Sequence, residues 1–172
     1  MRIILISLFI WIGLTPIAVF AQHTSAQDTL LDHLTGQWVL QGTIAGEATT
    51  HDIDAAWVLD HQYLQLKEVS REKELNGKPM YEAIVYIAWE QKAEQYSCLW
   101  LDVTGNWGLS AAAIGHAKAN NDTIGFLFND AGGSVFHTIF TYTRQADCWQ
   151  WTMDSEENGQ LQSFARVKLT RK

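Results

Sequence analysis

Proline is nearly missing from this chain, with two in 172 residues: Pro16 near the start and Pro79 in a stretch of turn residues. That scarcity suits helices and strands alike, so periodicity must decide between them. Cysteine is equally scarce, at two, and no Cys-x-x-Cys pair occurs. Also missing are the Gly-x-Ser-x-Gly elbow, His-Glu-x-x-His and a phosphate-binding glycine loop, which removes the common hydrolase, zinc-peptidase and nucleotide signatures. Positive charge is short, 12 Lys and Arg against 19 Asp and Glu. An acidic surface repels phosphate backbones and anionic lipid, which makes nucleic acid a poor partner. No repeat, linker or low-complexity stretch appears. Beyond the N-terminal segment, nothing is apolar enough to span a bilayer.

That N-terminal segment has the anatomy of an export signal. Met1-Arg2 is a short positive region, Ile3 to Leu14 is an almost unbroken apolar run, and Ala18-Val19-Phe20-Ala21 places small or aliphatic residues before a cut at Gln22. The run is short for a retained anchor of ~20 residues, and no Cys at the cut offers a lipid attachment point. Residues 1–21 are therefore expected to be a cleaved signal peptide, and residues 22–172 a single periplasmic or secreted domain with no membrane span after processing. Loss of Arg2, the only charged residue before position 22, takes the formal net charge from −7 to −8. The remaining chain, about 150 residues, is long enough to bury a core.

Helical spacing appears once, at Asp28 to Leu34, where Asp28 or Thr29 can cap a turn that Gly36 stops. After Gly36 the chain alternates in short segments divided by turn residues. Ten strands are predicted: Gln37–Ala45, His51–Asp60, Gln62–Arg71, Met80–Glu90, Gln95–Val103, Ala111–Ala119, Asp122–Asn129, Ser134–Thr143, Asp147–Asp154 and Leu161–Thr170. Connections of hairpin length make sequence neighbours antiparallel neighbours, and the lack of crossover helices excludes a parallel α/β sheet. The expected fold is all-β, a ten-stranded antiparallel up-and-down barrel with a short N-terminal helical turn. Closure removes two exposed edges. A two-sheet sandwich of the same strands is the competitor.

Leu34-Thr35-Gly36-Gln37-Trp38, a helical turn followed by Gly-x-Trp at the head of the first strand, resembles the N-terminal signature of the calycin superfamily of lipocalins and fatty-acid-binding proteins. In that superfamily the Trp plugs the closed end and a basic residue of the last strand lies across its ring. The resemblance implies that role for Trp38 and Arg171, because the last strand of an even-stranded barrel ends where the first begins. Such a cation–π contact is worth ~0.5–2 kcal/mol. Through Trp57-Val58-Leu59-Asp60, Tyr81-Glu82-Ala83, Trp100-Leu101-Asp102 and Phe164-Ala165-Arg166-Val167, residues 22–172 are also similar to a bacterial lipocalin-like family, domain of unknown function 1579. This implies a fold and a cavity, and brings no assigned reaction. Nitrobindin-like relatives of the fold hold haem through a histidine near the C-terminus. Gln162-Ser163-Phe164-Ala165-Arg166 has none, so no cofactor is expected.

Seven tryptophans follow the signal: Trp38, Trp57, Trp89, Trp100, Trp107, Trp149 and Trp151. Trp fills curved barrel interiors, lines apolar pockets, and on one strand face, as at Trp149 and Trp151, can form a sugar-stacking platform. Trp57, Trp100, His116 and His137 are the expected ligand-binding residues. Turn counting leaves two registers for the histidines. One brings both imidazoles to one side at one height, close enough to share a polar head group or a metal, and the other faces them apart. No metal site is specified by spacing. Asp52, Asp54, Glu82 and Asp102 supply carboxylates, with no pair singled out for acid–base work. Cys98 and Cys148 fall in the fifth and ninth strands, four spacings of ~4.8 Å apart. A disulfide needs Cα atoms within ~7 Å, so two free thiols are expected.

The function these features favour is binding of a small apolar or amphipathic molecule inside the barrel. One alternative is an enzyme using His116 or His137 on such a ligand. The other is an interaction module binding glycan, or a second copy in a homodimer, through outer aromatics. Export carries a direct test. N-terminal sequencing of the exported protein should begin at Gln22, and a product still carrying Met1 contradicts the processing.

Overall fold

Strand after strand buries every second residue, the period of a sheet with one dry face. In Tyr63–Ser70, for instance, Leu64, Leu66, Glu68 and Ser70 point inward and the residues between them do not. The computed structural model describes residues 30–105, 108–130 and 132–172. The cleavage site, the Asp28/Thr29 cap and Trp107 lie outside the described residues.

The strands are β1 Gly36–Ile44, β2 Glu47–Val58, β3 Tyr63–Ser70, β4 Glu82–Glu90, β5 Gln95–Asp102, β6 Ile114–Ala117, β7 Ala119–Asn120, β8 Thr123–Asn129, β9 Val135–Thr143, β10 Cys148–Glu157 and β11 Gln160–Arg171. β6 and β7 are one stave broken at Lys118, so the ten predicted strands correspond to ten staves. Each stave pairs antiparallel with its sequence neighbours, β6 and β7 both pair with β8, and β1 pairs with β11. The ladder runs unbroken around the ring. This closed barrel replaces the sandwich alternative and leaves no long edge.

The two ends differ. One is sealed by the helical turn at residues 30–32, whose Leu30 and Leu31, with Leu34, are buried under the barrel floor. Trp38 sits directly above at 0 % exposure. Its indole N–H donates to the Leu34 carbonyl at 2.7 Å, and the Arg171 guanidinium lies 3.8 Å from the ring centroid. Register explains the meeting, because Trp38 and Arg171 are directly paired across the β1–β11 seam. Arg171 also donates to the Thr35 and His33 carbonyls and to Asp147, satisfying acceptors that the end of a helical turn leaves free. Gly36 makes room for it. A Cβ there would fall 2.6 Å from an Arg171 nitrogen, and its φ of +109° suits glycine.

The other end is open and carries tight hairpins. Asn158-Gly159 turns β10 into β11 with both residues at positive φ, 52° and 74°, the conformation that matches strand twist in a two-residue loop. Ala45-Gly46 does the same at 51° and 84°. The second strand was expected to start at His51, but it begins at Glu47. Ala is an unusual residue for that conformation, so the hairpin left little mark on the sequence. Both cysteines are free and buried, and burial pushes the Cys98 thiol up.

Trp38→Ala should cost roughly 3–5 kcal/mol, as a large truncation in a packed core does. Arg171→Ala should cost less, and the two losses should not add. Urea unfolding of the double-mutant cycle measures the coupling; strict additivity contradicts a working contact.

Candidate functional site

Inward positions near the open end of β2–β5 do not keep the apolar character of the floor. Thr49 and His51 continue the inward row of Ile53 and Ala55 on β2, and Glu68 and Ser70 continue that of Leu64 and Leu66 on β3. Tyr81 precedes β4, and Trp100 and Asp102 end β5. With Phe128, Phe136, Met153 and Phe164 from β8–β11, these residues line a cavity of about 1020 Å³ that opens at the hairpin end. A volume of that order suits a small organic molecule. The apolar side chains come from one wall and most of the polar ones from the other.

The polar wall is hydrogen-bonded in a chain. Glu68 Oε1 lies 2.5 Å from His51 Nδ1, and His51 Nε2 lies 2.8 Å from Thr49 Oγ1. The Thr49 hydroxyl donates to Glu72 Oε2 at 2.9 Å, and the Thr50 N–H donates to Glu72 Oε1 at 3.0 Å. With its one proton given to Glu72, the Thr49 oxygen can only accept from the imidazole. Each hydrogen bond of the chain is made when both His51 nitrogens donate, and Glu68 Oε2 lies outside it. His51 and Glu68 are each 3 % exposed. Removing either alone leaves the other without its partner on the cavity wall.

A second chain runs beside it. The Trp100 indole donates to the Tyr81 phenol at 3.0 Å, and the phenol reaches Asp102 Oδ2 at 3.4 Å. Tyr81 stacks on His51 with ring centroids 5.5 Å apart. Burial, and then the Glu68 carboxylate, push the phenol pKa up. At Glu72, burial works to raise the carboxyl, but hydrogen bonds from Thr49 and backbone N–H groups, with the nearby His51, bring it below the ordinary range.

Of the residues expected to bind ligand, Trp100 lines this cavity. Trp57 lies at the sealed end, where β2 finishes. Its indole donates to Asp32 at 2.7 Å and its ring stacks on His61 at 4.0 Å. His116 and His137 do share one side and one row, each paired with Leu127. That row is on the outer wall, because the inward residues of β8 are Ile124, Phe126 and Phe128. His116 faces Gln95 and Ser97, and His137 pairs with Glu156 at 2.7 Å. Neither histidine touches the cavity. Among the four carboxylates, Asp102 lines it. Asp52 is outside, drawn down to about 2 by Arg71 and Lys172, and Glu82 lies near Lys67. Trp149 and Trp151 are buried rather than forming an exposed platform. His51, Glu68, Thr49, Glu72 and Tyr81 were not among the expected site residues.

Searches against protein-family models and against curated proteins gave no match for this chain. Among the described residues, no group of three or more His, Cys, Asp or Glu side chains is placed to hold a metal ion.

A carboxyl held below its ordinary value stabilises the fold at pH above that value, and the contribution fades as pH falls through the folded one. For Glu72 the ordinary value is 4.5. Glu72→Gln should lower the urea midpoint at pH 7, and the gap to wild type should narrow steadily below pH ~4. A gap of constant size across that range contradicts the assignment.

Proposed function

We propose that this protein is an exported, lipocalin-like binder that takes a small apolar or amphipathic molecule into its barrel. The observation that carries the proposal is the cavity, about 1020 Å³ and open at one end, bounded by aromatic side chains with a few buried polar groups on one wall. Pockets of that composition hold small molecules by apolar contact and orient them by a few hydrogen bonds. Export rests on the Met1–Ala21 signal pattern. Kinship with lipocalin-like domains rests on Gly36-x-Trp38 and the stretches that follow it. Fold alone does not fix function, so the proposal stands on the cavity.

A second reading, acid–base chemistry on the bound molecule, is favoured by the Glu68–His51–Thr49 chain. A carboxylate beside an imidazole is a common acid–base pairing, and an imidazole that donates from both nitrogens serves as its acid. This moves the enzymatic alternative from His116 and His137 to His51. Native mass spectrometry separates the two readings. A co-purifying molecule that stays unchanged supports binding, and one converted by wild type but not by His51→Gln supports catalysis.

Nile red, a neutral dye that brightens in apolar surroundings, tests the cavity directly. Glu47 is exposed, lines the entrance and shares the inward parity of Thr49 and His51, so Glu47→Trp should obstruct it and weaken binding of the neutral dye by about tenfold or more, the equivalent of ~1.4 kcal/mol. His116→Ala and His137→Ala, on the outer wall, should bind the dye as wild type does. Equal binding by Glu47→Trp and wild type removes the cavity from the proposal.

A further inference from the structure

The charged groups that line the cavity are of one sign. Glu47, Glu68, Glu72 and Asp102 contribute carboxylates, and among the described residues no Lys or Arg lines it. Even with His51 as an imidazolium, the lining keeps a negative balance. A carboxylate or phosphate ligand would enter against that field and find no cation to meet it.

Two polar atoms of buried lining residues also make no hydrogen bond among the described residues. Glu68 is 3 % exposed, and its one hydrogen bond among the described residues is from His51 to Oε1. Oε2 receives none, and it is not a sealed atom. Thr138, 1 % exposed on the opposite wall, likewise makes no side-chain hydrogen bond among the described residues and lines the same cavity. A carboxylate oxygen can only accept, so whatever completes it must bring an N–H or O–H. Trp100, Tyr81 and Phe128 border the same space, and aromatic rings can attract cations.

We infer that the cavity selects an amphipathic amine, whose protonated head group donates to Glu68 Oε2 while its apolar tail lies against Phe136, Met153 and Phe164. The inference rests on the binding function proposed above and names its ligand class. The open Glu68 oxygen supplies the hydrogen-bond acceptor, the one-signed lining supplies the charge preference, and the β8–β11 wall supplies the apolar surface. The Tyr81 phenol senses the same field, since burial and then the Glu68 and Asp102 charges hold its proton on.

Displacement of Nile red by decylamine, decanol and decanoate at pH 7, below their aggregation concentrations, compares three head groups on one tail. Decylamine should bind about tenfold tighter than decanol, the scale of one desolvated cation contact, and decanoate should be weakest. Added salt should shrink the advantage of the amine. Glu68→Gln should bring the amine-to-alcohol ratio to within about twofold. Asp102→Asn, nearer the rim, provides a second variant should Glu68→Gln fail to fold, and it should lower the ratio by about threefold. Dye displacement in which decanol or decanoate equals or exceeds decylamine overturns the amine inference and leaves cavity binding standing. A ratio unmoved by both variants overturns it as well. If the wild-type protein does not take up Nile red at all, the binding function falls with it.

Discussion

The seam between β1 and β11 is the constraint on which the rest of the barrel depends. Every other ladder joins staves adjacent in the chain, most of them through short turns. The seam alone turns a ten-stave sheet into a ring. It is secured where Arg171 lies across Trp38 and ties the strand end to the carbonyls of the preceding helical turn. Without it the sheet would have two free edges and no enclosed interior. The glycine before Trp38 belongs to the same device, since any side chain there would collide with the guanidinium.

Sealing one end this way frees the other. The floor takes the leucines of the helical turn, Trp38 and Trp149, and is packed as a protein core is. At the far end the same inward rows carry Thr49, His51, Glu68 and Ser70, groups that a closed core would have to satisfy completely. They are tolerated because the His51 imidazole bridges two carboxylates through Thr49, and because the space beside them is open. One barrel thus holds a dry half that confers stability and a polar half that can meet a ligand. The division falls along the strands rather than between domains.

Much of the architecture was legible in the sequence. Alternation and turn chemistry located all ten staves, and Gly36-x-Trp38 with Arg171 marked the seam. Inward and outward facing were harder to read. His116 and His137 attract attention as histidines, yet a register set by Leu127 puts them outside, and turn counting cannot fix register to one residue. The signal that was available lay elsewhere. His51 follows the parity of Ile53 and Ala55, and Glu68 that of Leu64 and Leu66, so each is a polar residue in an apolar row. A charged residue in such a row is more informative than a histidine in a mixed one. The early start of β2 was hidden because Ala45 occupies a left-handed turn position normally given to Asn or Gly. That hairpin brings Glu47, Ala48 and Thr49 to the cavity entrance.

Arg171 and the Thr35 carbonyl it binds are 136 residues apart in sequence. Hairpins between neighbouring strands can form in microseconds, whereas joining segments this distant must first overcome the entropy of closing nearly the whole chain. The seam is therefore the last ladder able to form, and it cannot form before residue 171 has been made. Until then the chain is a curved sheet with an unguarded edge and no interior. The container therefore appears all at once, when the last strand closes on the first.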